Sequence, residues 1–303
     1  MRPGVPLRWP TFIRDVVTRP TILVTGAGGQ VGCELARLLP VHGEVAALDR
    51  AQLDLADADA IRATLRAIRP QLIVNAAAYT AVDQAEREPE RAETINARAP
   101  GILAEEAKRL GAVLIHYSTD YVFDGRASTP YAEDATTGPL SVYGESKLHG
   151  EQAIAAVNGA NITLRTSWIY GLHGRNFLLT IRRLAAERDE LSIVADQFGV
   201  PNWARALAEA TATLVGRGLP YLAERKGLYH LTGTGSTSWF EFARAIVGPV
   251  ERPRVVAITT MEYPTPARRP AYAVLDAAKF AHTFGFGLPD WRSMLRDCLS
   301  AAA

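Results

Sequence analysis

Tyr143 and Lys147 stand four residues apart in the run Ser141-Val142-Tyr143-Gly144-Glu145-Ser146-Lys147. On a helix this spacing puts both side chains on one face, and Pro139 and Ser141 precede the expected helix start. Ser118-Thr119-Asp120 closes an apolar run, with Thr119 placed 143 − 119 = 24 residues before Tyr143. A phenol, an ammonium and a hydroxyl can together reduce a ketone. Hydride arriving at a carbonyl carbon leaves an alkoxide, which needs a proton. A free tyrosine titrates at about 10, and a neighbouring ammonium favours the phenolate and lowers that value. A hydroxyl can orient the substrate oxygen. Tyr143 is therefore the expected acid, Lys147 its tuning partner, and Thr119 the group that positions the carbonyl.

The hydride needs a carrier, and the sequence holds a place for one. Gly26-Ala27-Gly28-Gly29-Gln30-Val31-Gly32 reads GxxGxxG on Gly26, Gly29 and Gly32. It follows a predicted strand and opens a predicted helix, the context in which such a loop cradles a pyrophosphate on helix N–H groups. Asp49 lies 49 − 32 = 17 residues after Gly32. There a carboxylate can accept from the adenosine ribose and favour NADH, whereas Arg50 can hold a 2′-phosphate and favour NADPH. Asp49 also reads as a turn residue. Asp54-Leu55 are expected to flank the adenine. The small residues Ala76, Ala77 and Ala78 suit a cofactor lying across the strand ends, with Gln30 and Val31 at the helix start. With NADPH or NADH in this place, the positive charge that the nicotinamide acquires as hydride leaves favours the Tyr143 phenolate, and Lys147 grips the nicotinamide ribose.

These residues require a scaffold of alternating strands and helices. Strands are predicted over 21–25, 44–48, 71–74, 112–117 and from 162, with helices over 31–39, from a cap at Asp57 to 68, and from Pro89. This alternation predicts an α/β fold: a doubly wound parallel sheet of Rossmann type with a smaller α/β substrate-binding lobe. After Trp168 the rhythm breaks. A helix over 177–187, a strand over 191–194 and a loop with Pro201 follow, then a helix from Ala204 and a strand near 228–230. The expected organisation is an N-terminal extension (1–19), a dinucleotide-binding domain (20–167), a lobe insertion (168–202), a return to the first domain (203–245) and a substrate-binding lobe (246–303). In the extension Trp9, Phe12, Ile13, Val16 and Val17 share one helical face, which reads as a docked helix, a disordered tail or a partner-binding helix.

The chain has 303 residues and a net charge of +1. No broad basic field exists to hold nucleic acid or an anionic membrane, so placed arginines must hold any anionic substrate. Two cysteines, Cys33 and Cys298, and six histidines show no ligand spacing, and no metal is expected. The lack of any long apolar run or signal-like start predicts a cytoplasmic protein.

The glycine loop, the 24-residue interval and the Tyr143/Lys147 pair resemble the extended short-chain dehydrogenases. More narrowly, the chain resembles the dTDP-4-dehydrorhamnose reductases. The matching segments are Asn75 to Asp83, Ser118 to Gly125, Tyr143 to Glu151, Arg165 to Gly171, Asp196 to Pro201 and Pro266 to Pro270. The resemblance runs over residues 20 to 300. It implies reduction of the C4 ketone of a dTDP-4-keto-6-deoxy sugar by NAD(P)H. It also implies that Thr80, Val82, Tyr121 and Trp168 line the sugar pocket, with Arg268 near the nucleotide end. An aromatic ring can cover the apolar face of a deoxysugar, and arginine matches a pyrophosphate by paired hydrogen bonds. Trp168 also reads as core packing, and Arg268-Arg269 as a solvated loop. A homodimer is a further implication. Some members bind magnesium between subunits, but no ligand set can be placed here. Two features depart from the family: the extension, and Asn202 where a threonine is more familiar. Two rival readings remain. One is a sugar-nucleotide epimerase or dehydratase, although Tyr121 stands where a dehydratase has its second acid. The other is a non-enzymatic regulatory subunit resembling that of methionine adenosyltransferase.

Overall fold

The computed structural model describes residues 19–249 and 252–302; the helical face read in the extension lies outside them. The first half of the chain runs β1 (Thr21–Thr25), α1 (Gln30–Leu38), β2 (Glu44–Leu48), α2 (Ala58–Ile68), β3 (Leu72–Asn75), α3 (Val82–Ala85), α4 (Pro89–Glu93), α5 (Ala99–Leu110), β4 (Val113–Thr119), α6 (Val142–Val157) and β5 (Ala160–Thr166). The five strands join the Gly227–His230 strand in one parallel sheet. Its order is β2-β1-β3-β4-β5 and then Gly227–His230. The order reverses between β1 and β3, and that switch point opens a crevice at the C-terminal strand ends.

Local chemistry accounts for the element boundaries. β1 and β3 are short apolar runs, buried on both faces as parallel central strands must be. Asp57 caps α2 by accepting from the backbone N–H of Asp59 and Ala60, and the helix stops before Pro70 in left-handed Arg69. Ser141 caps α6 by accepting from Gly144 N–H. Between α4 and α5 the residues Thr94–Arg98 form a turn of π-helix, which the sequence reading did not include.

One sheet face packs Val31, Leu35, Leu207, Leu214, Phe280 and Phe284; the other packs Ile61, Leu65, Leu103, Ala107 and Ile154. A separate cluster forms the second lobe around Leu178, Leu191, Trp203, Phe242, Trp291 and Leu295. A parallel strand pair, Glu190–Val194 with Arg254–Ile258, lies beside it. The packing cuts across the segment limits expected at 245 and 246. The Trp239–Val247 helix packs in the lobe, and the Ala278–Phe284 helix packs back on the sheet. Each helix goes where its apolar stripe finds a partner, which chain order does not specify. No helix among the described residues is long and apolar enough to cross a membrane.

Candidate active site

The glycine loop leaves β1 and turns into α1. Gly26 has φ +72°, and a Cβ there would lie 2.7 Å from Ala77 Cα. A Cβ on Gly32 would lie 2.0 Å from the Gly26 carbonyl oxygen. The backbone of loop, helix and Ala77 is thus packed too closely for side chains. Gly29, at the α1 N-cap, provides no side-chain cap, so the first-turn N–H groups face the crevice with a positive dipole end. A dinucleotide pyrophosphate fits this cradle. Gly32→Ala is expected to push α1 off the loop and weaken NADPH binding by more than about tenfold, roughly 1.4 kcal/mol. Titrating the protein with NADPH and following nucleotide fluorescence checks this; an unchanged Kd would separate the cradle from cofactor binding.

At the end of β2, Asp49 Oδ1 accepts from Ala51 and Gln52 N–H, so this carboxylate also shapes its own turn. Exposed Arg50 pairs with Asp54 at 3.5 Å. Leu55 is buried. Gln30 Oε1 accepts from Asn176 at 2.9 Å, which ties the start of α1 to the second lobe. Ala76 and Ala78 are half-buried beside Ala77 at the end of β3.

Thr119 ends β4, and α6 carries Tyr143 and Lys147 alongside it. The helix approaches so closely that a Cβ on Gly144 would lie 2.2 Å from the Tyr121 carbonyl oxygen. All three expected catalytic side chains are buried. Burial pushes the Tyr143 phenol up to about 12, opposed by its hydrogen bond with Thr119, while the Asp120 charge raises it further. The sequence expectation had the lysine lowering this value. Desolvation outweighs the lowering by Thr119, and Lys147 makes its bonds elsewhere. Its Nζ donates to the Tyr117 carbonyl at 2.6 Å and lies 3.2 Å from His116 Nε2. Asp120 Oδ1 accepts from Thr119 at 3.0 Å. Its Oδ2 is buried without a partner, and burial pushes the carboxyl up to about 7.

Tyr121 meets Tyr143 edge to face at 5.5 Å, and Val82 packs in the same cluster. The π-helical turn contributes here. Asn96 accepts from Tyr79 N–H and donates to the Tyr79 carbonyl and Ser146 Oγ, which fixes the loop after β3 against α6. Thr80 is exposed on that loop. Trp168 adopts φ +42° and stacks flat on Trp239 at 3.5 Å. Asn202 is fully buried and accepts from Gly233 N–H while donating to Ser167, Val200 and Thr232 oxygens. A threonine has one hydroxyl donor to share among those oxygens where the amide has two.

A cavity of about 450 Å³ opens between the lobes, lined by Asp83, Phe177, Gln197, Trp239, Tyr263 and Arg269. Arg269, half-buried, forms a two-pronged ion pair with Asp83, at 2.8 Å for the closer prong. The guanidinium holds the Asp83 carboxyl below its usual range, and its charge also acts on the neighbouring Tyr121 phenol. Arg269 of the cavity wall is thus a neighbour of Tyr121, which in turn meets Tyr143. Arg268, the residue expected near the nucleotide, is exposed, and its neighbour Arg269 lines the cavity instead. Sequence reasoning also left out Phe177 and Trp239, which look like ordinary helix residues until the lobe is folded. Among the described residues no group of three or more His, Cys, Asp or Glu is arranged to hold a metal ion.

Comparison with known proteins gives consistent relatives. A family model described as the RmlD substrate binding domain matches residues 20–303. A dTDP-4-dehydrorhamnose reductase of Burkholderia thailandensis is 47% identical over 290 residues, covering 92% of this chain and 97% of the relative. That of Escherichia coli K12 is 44% identical over 292 residues, with 92% and 97% covered. The crystal structure of dTDP-4-dehydrorhamnose reductase from Bacillus anthracis in complex with NADP superposes with a TM-score of 0.87. It is 35% identical, and the match covers 94% of this chain and all of that one.

Proposed function

Since the chain belongs to the RmlD family of dTDP-4-dehydrorhamnose reductases, we propose that it reduces the C4 ketone of dTDP-4-dehydro-L-rhamnose to give dTDP-L-rhamnose. The observation that carries this reading is that Thr119 ends β4 with Tyr143 and Lys147 on α6 alongside, in the same parallel sheet whose β1 ends in the glycine cradle. NADPH or NADH supplies the hydride when bound. The cradle of Gly26, Gly29 and Gly32 receives the pyrophosphate, with Gln30 and Val31 at the helix start. Asp49, Arg50, Asp54 and Leu55 receive the adenosine end, and Ala76 to Ala78 form the floor.

The ketone oxygen rests between the Thr119 hydroxyl and the Tyr143 phenol. As the C4–H bond forms, the carbonyl π pair moves onto oxygen and Tyr143 donates its proton there. A neutral phenol is the form needed for donation, and burial keeps it neutral. The Lys147 ammonium and the cationic oxidised nicotinamide offset the phenolate left behind. Tyr121, Val82, Thr80 and Trp168 bound the sugar. The cavity at Phe177, Trp239 and Arg269 takes the nucleotide, since aromatic rings can cover a base and arginine can pair with a diphosphate. The substrate end is thus split between Rossmann and lobe residues.

The reading extends to a cytoplasmic homodimer that binds neither nucleic acid nor membrane, and sedimentation of the purified chain tests the dimer. The direct test is to follow oxidation of NADPH and NADH with a dTDP-4-keto-6-deoxy sugar prepared in situ. One reduced cofactor consumed per sugar is expected. An epimerase or dehydratase would show no net consumption, and a regulatory subunit would show none and would co-purify with a larger enzyme.

A further inference from the structure

We propose that His116 is a positioning residue for Lys147: held by Asn75 as its Nε2–H tautomer, it presents a donor to the lysine nitrogen and so governs whether that nitrogen carries its third proton. This rests on the reading above only where Lys147 is taken to grip the dinucleotide.

The argument begins in the sheet. Thr25, Asn75 and His116 are register partners across β1, β3 and β4, and all three are buried. Thr25 Oγ1 donates to Asn75 Oδ1 at 2.6 Å, and Ala77 N–H donates to the same oxygen at 3.2 Å. The Ala77 donor is backbone and cannot be reversed, so Oδ1 faces it and the amide orientation is set. Asn75 Nδ2 then faces His116 Nδ1 at 2.9 Å, and because Nδ2 can only donate, Nδ1 must accept. A neutral imidazole has one N–H, which is left on Nε2. Burial, with the Lys147 charge adding to it, holds His116 well below its ordinary pKa and keeps it neutral.

Nε2 lies 3.2 Å from Lys147 Nζ. An ammonium in that place sets donor against donor, whereas a neutral amine accepts the N–H and still donates to the Tyr117 carbonyl. The other charged groups around Lys147 do not reverse this preference. Glu151, one turn along α6, favours the ammonium, but its carboxylate is shared with Arg165 of β5 and Ser118 of β4. Asp120, just beyond β4, and Tyr143 on α6 are the further titratable groups on the elements that carry His116 and Lys147. Burial brings Lys147 down to about 8. The ammonium is present below that value and lost as pH rises through it, so dinucleotide affinity falls across the same window. His116 sets where the window lies.

Asn75→Asp tests this without removing the histidine. The introduced carboxylate accepts from Nδ1–H, moves the imidazole proton off Nε2, and turns a lone pair toward Lys147. His116→Gln is the second variant, because its amide can offer an oxygen to the lysine. In protein labelled at the lysine side-chain carbons, the Lys147 titration midpoint read by NMR is expected near 8. It should rise by roughly one unit or more in His116→Gln, which adds no charge, and by more in Asn75→Asp, where the added carboxylate contributes its own attraction. ¹⁵N shifts of the wild-type imidazole should report the Nε2–H tautomer, a readout that needs no variant to fold. An Nδ1–H tautomer overturns the proposal, as does an unchanged midpoint in a folded variant. If the midpoint moves but the pH profile of the NADPH Kd does not follow it, the proton control stands. What then fails is the lysine's grip on the dinucleotide.

Discussion

Tyr143→Phe is expected to lose turnover by roughly a hundred- to ten-thousand-fold while binding NADPH about as tightly as the unaltered chain. The substitution removes one hydroxyl and leaves the ring, so the edge-to-face contact with Tyr121 at 5.5 Å is kept. What disappears is the phenolic proton at the Thr119 hydroxyl where the ketone oxygen is to rest. Without it the alkoxide must find a proton from water, and the site is closed: Thr119 and Tyr143 are both buried. Steady-state kcat with a dTDP-4-keto sugar, set beside the NADPH Kd, separates proton donation from binding. A variant that turns over at the wild-type rate places the acid elsewhere, and Asp120, with its unpartnered buried oxygen, is then the next group to replace.

The second large effect is on stability. Glu151→Ala is expected to cost about 3–5 kcal/mol, because removing one partner of a buried ion pair leaves the other charge uncompensated. Arg165 and Glu151 side chains are 3% and 8% exposed and meet through two hydrogen bonds of 2.8 and 2.6 Å. Ser118 Oγ donates to the same carboxylate at 2.5 Å, and Phe123 lies over the guanidinium at 5.0 Å. No other carboxylate is bonded to Arg165 among the described residues. This cost is a large fraction of the roughly 5–15 kcal/mol that holds a domain folded, and it falls on α6, which carries Tyr143 and Lys147. Urea denaturation measures it. The double variant Glu151→Leu with Arg165→Met removes both charges and is expected to be far closer to the unaltered chain, since desolvation of the pair is removed along with its attraction. A loss below about 1 kcal/mol for Glu151→Ala would mean the pair adds little.

The secondary structure was readable wherever its cause is local. Asp57 and Ser141 announce helix starts because a short side-chain acceptor serves the first-turn N–H groups. The helix expected near Phe177 to Glu187 is observed as Phe177–Glu187. The π-helical turn at Thr94–Arg98 left no such trace, because it is set by Asn96 reaching Tyr79 and Ser146. Lobe membership near residue 245 is equally silent: Phe242 and Ile246 are both apolar, and only their partners say which cluster they join.

By itself the sequence determined the doubly wound alternation, the glycine cradle, and the one-helix placement of Tyr143 and Lys147, because turn chemistry and helical period act over a few residues. The tertiary structure alone decided that Arg269 rather than Arg268 faces the cavity. It also decided that Trp168 rests on Trp239, that Asn75 controls the His116 tautomer, and that burial raises the Tyr143 phenol. Each of these depends on atoms brought together over long chain separations, 186 residues for Arg269 and Asp83 and 41 for Asn75 and His116. Only packing fixes how much water remains around a charge, and with it the proton's preference.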